Sequence, residues 1–232
     1  LQDALVILEQ AENAKVRARK TVQEDNHFSI GFVPSAEVNL LPKVLPLFRL
    51  KQPDTHIELV SLITTEQEEK ILSGELDVGL MRHPVYSPDL DYLELIHEPL
   101  VVVLPVNHPL ANEQAISAEQ LHGVNFVSTD PAYSGALAMI VKNWFQQQKS
   151  QPNIVQVATN ILVTMNLVGM GLGVTLIPGY MNNFNTGQVV FRPIAGNVPS
   201  IALLMAWKKG EMKPALRDFI AIVQERLASV TA

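Results

Sequence analysis

Short apolar runs alternate with longer stretches of helical periodicity along the first part of the chain. Residues 29–34, 56–62 and 76–82 carry the dense or alternating apolar pattern of strands. Between them, residues 39–50 and 64–72 place apolar side chains three and four positions apart, as helices packed by one face do. Strands that alternate with helices predict an α/β fold with mostly parallel strands.

The same alternation continues to the end of the chain. The predicted strands there are 100–104, 124–127, 154–157, 174–178, 189–191 and 201–207, and the predicted helices are 134–148, 160–170 and 214–227. The very apolar run 100–104, bracketed by two prolines, indicates a strand that crosses between two halves. The closing strand and helix have partners only if they return to the first half. We therefore predict two Rossmann-like lobes joined by two crossover strands.

In this arrangement lobe I comprises residues 26–98 and 195–232, and lobe II comprises residues 99–194. A cleft between such lobes is lined by strand ends and helix N-termini, where free N–H groups attract anions. Arg82 ends the strand 76–82, so its guanidinium is a candidate anion clamp in that cleft. The alternative is an arginine that pairs with a surface carboxylate, since most arginines are exposed.

The first 24 residues follow a different pattern. Positions spaced alternately by three and four form a narrow seam that Lys15 interrupts: Leu1, Ala4, Leu8, Ala11, Lys15, Ala18 and Val22. This is the pattern of a long helix with a coiled-coil stripe. The helix either packs on its own domain or pairs with a second copy. Because the stripe starts at residue 1 without a capping residue, we expect the helix to continue upstream. It is not a signal peptide, because no basic region precedes the apolar part.

Composition narrows the class of protein. The chain has 23 acidic and 17 basic residues and a net charge of −6, which opposes non-specific binding to DNA phosphates. It contains no cysteine, which removes disulfides, thiolate catalysis and cysteine metal sites and is compatible with a reducing compartment. Its apolar runs are far shorter than the roughly 20 residues that a membrane span needs. We expect no membrane association and a cytoplasmic location.

Motifs for catalysis, cofactors and metals are weak. The six histidines show no metal-binding spacing. The glycines of 169–173 follow a helix and precede a strand, which is the reverse of a dinucleotide fingerprint and fits a helix end and tight turn better. Ser134-Gly135 lacks the preceding glycine of a nucleophile elbow, because Ala132 stands there. We predict no enzyme, no cofactor and no metal site.

The ordered set of motifs resembles the LysR-type transcriptional regulators over nearly the whole chain. It includes the helix 1–24, Ile30-Gly31-Phe32-Val33 with Leu40-Leu41-Pro42, Phe48-Arg49 with Pro53, Gly74-Glu75-Leu76-Asp77-Val78-Gly79-Leu80, Glu98-Pro99-Leu100-Val101-Val102-Val103 with His108-Pro109-Leu110, and Val168-Gly169-Met170-Gly171-Leu172-Gly173-Val174 with Ile177-Pro178. Within the family, the chain looks most similar to members that regulate the breakdown of aromatic acids.

The resemblance implies a periplasmic-binding-protein-like fold of type II that holds a small-molecule inducer between the lobes. Residues 1–25 would be the end of a linker helix, and a winged helix-turn-helix would precede residue 1 and be absent from this chain. DNA would be bound only through that absent domain, in accord with the acidic charge. The full protein would be a homo-oligomer, a dimer or a tetramer, that assembles through the linker helix and the lobes. The inducer would be a small carboxylate, and an aromatic acid is expected.

The resemblance also implies inducer contacts in lobe I. Ser35 lies in the first loop after the opening strand, where the family's site has a hydroxyl and backbone amides. Thr64 matches a threonine that contacts a ligand carboxylate, although Thr64 with Gln67 also has the spacing of a helix capping box. Arg82 matches a position that is basic in some aromatic-acid sensors. Glu37 disagrees with a simple anion site, because a carboxylate beside a carboxylate ligand repels it unless it points away.

In lobe II, Ser128, Thr129 and Asn160 are expected to face the cleft, since each follows a strand or opens a helix. The alternative for Ser128 and Thr129 is an ordinary turn. Phe32, Phe126, Met165 or Ile177 could supply apolar walls, but each fits core packing better. Two other function classes remain open at this point, namely a periplasmic solute receptor and a transferase or dehydratase of similar fold. A receptor would begin close to its first strand, whereas the leading helix needs a partner.

Overall fold

Residues 26–210 and 212–228 are described in a computed structural model of the protein, and the predicted linker helix of residues 1–25 lies outside them. The strands are β1 His27–Phe32, β2 His56–Ser61, β3 Val78–Arg82, β4 Leu90–Pro105, β5 Asn125–Thr129, β6 Asn153–Ala158, β7 Thr175–Pro178, β8 Val189–Arg192 and β9 Ser200–Lys208. The helices are α1 Pro34–Asn39, α2 Leu41–Lys51, α3 Thr64–Ser73, α4 Pro131–Gln147, α5 Ile161–Gly169 and α6 Pro214–Ala228, with 3₁₀ turns at Glu119–Leu121 and Gly179–Phe184.

Lobe I is built on a sheet with the strand order β2-β1-β3-β9-β4. β1 is parallel to β2 and β3, so the carboxyl ends of these three strands meet at one edge of the sheet. β9 runs antiparallel to both β3 and β4. The sheet is therefore mixed. The sequence predicted mostly parallel strands, and the difference arises because the crossover strands run against the βαβ units.

β4 belongs to both lobes. Its first part pairs with β9 as far as Pro99 opposite Ser200, and from Leu100 onward it pairs with β7 and β8. The Leu100 N–H donates to the Pro199 carbonyl at 2.9 Å, so the two crossing segments are hydrogen-bonded where they pass between the lobes. The predicted pair of crossover strands is confirmed.

Lobe II continues from the second part of β4. β5 and β6 form a parallel pair, and a bridge between Phe126 and Val174 joins this pair to the segment that leads into β7. Val102, Val103 and Leu104 of β4 lie in a core with Phe126, Trp144 and Phe145. The second part of β4 is a continuous apolar run because both of its faces are covered.

The chain returns to lobe I through β9 and α6. Phe219 of α6 packs against Phe28 of β1 and Phe48 of α2, with ring centroids 5.5 and 5.3 Å away. The three rings are fully buried, which ties the last helix to the first strand. None of the described helices is long and apolar enough to cross a membrane.

Two elements differ from the pattern read in the sequence. Residues 34–39 form the short helix α1 with Pro34 in its first turn, where the sequence predicted a loop, because proline is tolerated at that position. β4 begins at Leu90, ten residues earlier than predicted, since its first part is half-exposed and mixes charged with apolar residues. The first difference places Ser35 at the cleft, and the second places Glu98 beside Arg82.

Candidate functional site

A cavity of about 700 Å³ opens between the lobes. Lobe I contributes the residues that follow β1, β2 and β3 and the first turns of α1 and α3. Lobe II contributes residues 131–139 at the start of α4, Lys142 further along it, and the start of α5. A position beyond the carboxyl ends of parallel strands is where open α/β sheets bind ligands. The volume falls within the range of small-molecule sites.

Arg82 lies in the lobe I wall of the cavity and contacts three other residues. Its guanidinium forms an ion pair with Glu98, donates to Ser35 Oγ at 2.6 Å and approaches the Ile201 carbonyl at 3.4 Å. Asn39 Nδ2 donates to the other carboxylate oxygen of Glu98 at 2.6 Å. The side chains of Arg82 and Glu98 are only 12% and 5% exposed, so this ion pair is largely removed from water.

The sequence left two roles open for Arg82, and the structure combines them. Arg82 lines the cavity, as a clamp must, and it is also paired with a carboxylate. That carboxylate is buried and lies on β4, where the sequence alternative was a surface partner. The charge of Arg82 is balanced by that of Glu98, so an anionic ligand must share Arg82 with Glu98.

Two hydroxyl groups beside Arg82 accept hydrogen bonds without donating one. Ser35 Oγ accepts from the guanidinium, and Thr64 Oγ1 accepts from the Arg82 backbone N–H at 3.1 Å. Each oxygen thus uses a lone pair on Arg82, and neither hydroxyl hydrogen meets an acceptor among the described residues. We call the side chains of Ser35, Thr64 and Arg82 the polar pole. It presents two O–H donors and a guanidinium to an oxygen acceptor.

The capping role considered for Thr64 is wrong. Ile63 occupies the N-cap position of α3 without a side-chain hydrogen bond, and Thr64 is the first helical residue. Gln67, the other member of the proposed capping box, donates to the Leu62 carbonyl at 2.8 Å. The hydroxyl of Thr64 therefore serves the strand end at Arg82 and the cavity.

Of the three candidate residues in lobe II, one lines the cavity and two do not. Asn160 lines the cavity as the N-cap of α5, and its Oδ1 accepts from the Val163 N–H at 2.9 Å. Ser128 and Thr129 are outside the cavity lining, which corrects the prediction for both. They belong to β5 itself, where Thr129 is buried and Ser128 Oγ donates to the Thr129 carbonyl at 3.3 Å.

The doubt about Glu37 has a structural answer. Glu37 lies in α1 with its side chain exposed and outside the cavity lining, so the carboxylate that meets Arg82 is Glu98. The four suggested apolar wall residues, Phe32, Phe126, Met165 and Ile177, are all buried in the cores and outside this cavity. Their alternative role as core residues is the one observed.

Other cavity residues were not found from the sequence. Tyr86 and Tyr133 line the cavity from opposite lobes, and Tyr180 and Lys142 also line it. Burial raises the pKa of Tyr180 to about 12, so its hydroxyl stays protonated and able to donate. Lys142 could have been found by spacing, because it lies three, four and seven positions after cavity residues of α4.

Glu68 positions the rim that carries Tyr86. Its buried carboxylate accepts from the backbone N–H groups of Tyr86 and Ser87 at 3.2 and 3.3 Å. A charged acceptor on two backbone donors holds this loop more firmly than neutral hydrogen bonds would. In the part of the chain that the structure describes, no group of three histidine, aspartate or glutamate side chains is placed to hold a metal ion.

The family model of the LysR substrate binding domain matches residues 22–228. The chain therefore belongs to this family, which is the substrate-binding part of LysR-type transcriptional regulators. The fold and the interlobe cavity have the form expected of a domain that senses a small molecule. The resemblance predicted from the sequence motifs is confirmed.

One curated relative, the Hca operon transcriptional activator HcaR of Escherichia coli (strain K12), is 87% identical over 232 residues, which are 100% of this chain and 78% of that protein. The solved effector-binding domain of BenM with its effector benzoate has a TM-score of 0.79 and 22% identity, covering 88% of this chain and 93% of that one. Full-length CbnR complexed with its target DNA has a TM-score of 0.78 and 21% identity, covering 98% and 80%.

These comparisons settle the class among those left open. The 87% identical relative is a transcriptional activator, so the chain is part of a regulator and not an enzyme. The alternative of a periplasmic solute receptor is not supported. The two solved structures establish the type II periplasmic-binding-like fold.

Proposed function

We propose that this domain binds an aromatic carboxylate such as 3-phenylpropionate in the interlobe cavity, with the carboxylate at the polar pole. The main supporting observation is that the hydroxyl groups of Ser35 and Thr64, beside the guanidinium of Arg82, each accept a hydrogen bond and remain able to donate one. A carboxylate oxygen accepts from all three groups without leaving a buried donor unpaired. Charge-assisted hydrogen bonds of this kind contribute roughly 1.5–3 kcal/mol each.

The remaining walls suit an aromatic ring. Apolar and aromatic side chains dominate the lining, and they include Val33, Pro34, Ile63 and Pro178. Asn160 supplies a polar group from lobe II at the N-terminus of α5. We leave Ser128 and Thr129 out of the proposed site, since neither lines the cavity. The benzoate bound by the BenM domain is itself an aromatic carboxylate, which supports this ligand class.

Ligand binding would act on transcription through the relative orientation of the lobes and subunits. A ligand shifts such an equilibrium only by its differential affinity for the two states. Arg82 contacts both crossover strands, through Glu98 on β4 and the Ile201 carbonyl on β9. A carboxylate that engages Arg82 therefore acts where the lobes are joined. The lobe boundaries at 98/99 and 194/195 are part of this proposal.

The full regulator would be a homo-oligomer, a dimer or a tetramer, that acts on DNA in the cytoplasm through a domain ahead of residue 1. β6 supports self-association, because Ile154, Val155 and Val157 are 60%, 42% and 48% exposed on one short strand. Adjacent exposed apolar residues of this kind mark protein contacts. The 87% identical relative is named as the activator of the Hca operon, which supports a role in activating an operon.

Calorimetry tests the ligand. We expect 3-phenylpropionate to bind the chain of residues 1–232, and 3-phenyl-1-propanol, which has the same ring and linker without the charge, to bind at least about tenfold more weakly. Equal affinities would place the carboxylate away from Arg82. Absence of binding by the acid would contradict the proposal.

A further inference from the structure

Lys142 stands apart from the other charged side chains of the cavity. Within the described lining these are Glu66, Arg82, His83 and Lys142. Arg82 is paired with Glu98, and His83 Nε2 lies 2.6 Å from the carboxylate of Glu94. The ammonium of Lys142 meets no hydrogen-bond or ion-pair partner among residues 26–210 and 212–228. It is a cation at the cavity that the protein leaves unneutralised.

Lys142 lies on the face of α4 that lines the cavity. The cavity lining includes Gly135, Ala138, Met139 and Lys142, which are spaced as i, i+3, i+4 and i+7. Such residues share one face of a helix. Further along the helix, the opposite face with Val141, Trp144 and Phe145 is buried in the lobe II core. The non-helical backbone at Ser134 precedes this stripe, so all four cavity positions belong to one continuous helical segment.

The described lobe II wall of the cavity is neutral apart from Lys142. In the described lining contributed by lobe II, Lys142 is the one charged residue, and the others are apolar or neutral and polar. The polar pole with Arg82 lies on the lobe I side. A ligand that spans the cleft thus meets one positively charged group from each lobe, the first shared with Glu98 and the second free.

The size of the cavity leaves room for a second ligand group. A benzene-sized ligand fills a cavity of about 150 Å³. The interlobe cavity measures about 700 Å³, so a single ring with a short acidic side chain occupies a minor part of it. An acid with a further oxygen group on its ring fills more of this space.

We infer that Lys142 is a specificity-determining residue that binds a second oxygen acceptor, a ring carboxylate or ring hydroxyl, at the end of an aromatic acid opposite its first carboxylate. This inference rests on the proposed function, because it takes the first carboxylate to lie at the polar pole. A ligand held by both lobes stabilises their closed arrangement, since each end binds only one of them.

The test compares four acids on the wild-type chain and on Lys142→Met by calorimetry. The acids are 3-phenylpropionate, its 3-carboxy and 4-carboxy ring derivatives, and its 4-hydroxy derivative. We expect at least one carboxy derivative to bind the wild type about fivefold more tightly than 3-phenylpropionate, the ratio that corresponds to an exposed ion pair. Lys142→Met abolishes this preference and changes the affinity for 3-phenylpropionate less than about twofold.

Lys43→Met is the matched control, because Lys43 is an exposed lysine of α2 outside the cavity lining. It retains the preference. A preference that survives Lys142→Met overturns the inference, and so does an equal loss for all four acids, which would show that Lys142 does not recognise the second oxygen group. If no acid binds the wild type, the proposed function itself fails; binding of 3-phenylpropionate without any Lys142-dependent preference removes the inference alone.

Discussion

The guanidinium of Arg82 and the carboxylate of Glu98 form an ion pair where β4 leaves the sheet of lobe I. Glu98 lies opposite Ile201 in the register of β4 and β9, and Arg82 also approaches the Ile201 carbonyl. One side chain at the wall of the cavity thus contacts both strands that connect the lobes. A ligand that competes for Arg82 changes its contacts with Glu98 and Ile201, which lie on the two strands that connect the lobes. Binding in the cavity is thereby linked to the orientation of the lobes.

Glu98→Gln is expected to raise the affinity for 3-phenylpropionate by about tenfold. Glutamine still accepts a hydrogen bond from Arg82, but the ligand carboxylate no longer shares the guanidinium with a second anion. Calorimetry measures the change. Glu37→Gln is the control, because Glu37 is exposed outside the cavity lining, and it should leave the affinity unchanged. An unaltered affinity in Glu98→Gln would mean that Glu98 does not compete with the ligand.

Arg82→Ala is expected to destabilise the domain as well as weaken ligand binding. It leaves the 5%-exposed carboxylate of Glu98 with Asn39 alone, and removing one partner of a buried pair costs roughly 3–5 kcal/mol. The double variant Arg82→Ala/Glu98→Ala removes the orphaned charge and should recover part of this loss. Urea unfolding measures both free energies. A double variant that is less stable than Arg82→Ala would show that the charge of Glu98 is not the source of the instability.

Thr64→Val and Thr64→Ser separate the hydroxyl from the shape of the residue. Valine leaves the Arg82 backbone N–H without its acceptor and removes a donor to the ligand, so we expect affinity for the acid to fall about five- to tenfold. Serine retains the oxygen and should bind within about twofold of the wild type. A loss in Thr64→Ser without a loss in Thr64→Val would instead assign the effect to the Thr64 methyl group, which valine retains and serine lacks.

His108 is expected to make the domain less stable at acidic pH. Burial lowers its pKa below the ordinary 6.5, and its Nδ1 accepts from the Leu110 N–H at 3.2 Å, which requires the neutral ring. The unfolded chain therefore binds the proton first as the pH falls. The contribution of His108 is complete above pH 6.5 and is lost as the pH drops through the lowered pKa.

Urea unfolding of the wild type and of His108→Asn checks this prediction. Asparagine can accept the same hydrogen bond without titrating. Between about pH 7.5 and about pH 5.5 the variant should lose less stability than the wild type. Identical losses would show that other groups account for the acid sensitivity.

The sequence was informative where local patterns decide the structure. The strands at β1, β2, β3 and β9 followed from their apolar periods, and the fold class followed from their alternation with helices. α1 was missed because Pro34 reads equally as a turn and as the first residue of a helix. Ser128 and Thr129 were misplaced because β5 runs to residue 129, two residues beyond the end predicted from its apolar pattern.

The site was predictable only in part. Ser35, Thr64, Arg82 and Asn160 line the cavity, since strand ends and helix starts are local features. The partnership of Arg82 with Glu98 had no local signal, because it depends on how β4 lies beside β9 in three dimensions. Tyr180 was missed for the same reason, because the turn after β7 brings it to the cavity only in three dimensions.

The most direct test is a crystal structure of the domain with bound 3-phenylpropionate. The account predicts the ligand between the lobes, with a carboxylate oxygen about 2.5–3.0 Å from the hydroxyl oxygens of Ser35 and Thr64 and within hydrogen-bond distance of Arg82. A carboxylate bound elsewhere, with both hydroxyls free of ligand and the Arg82–Glu98 pair undisturbed, would contradict it.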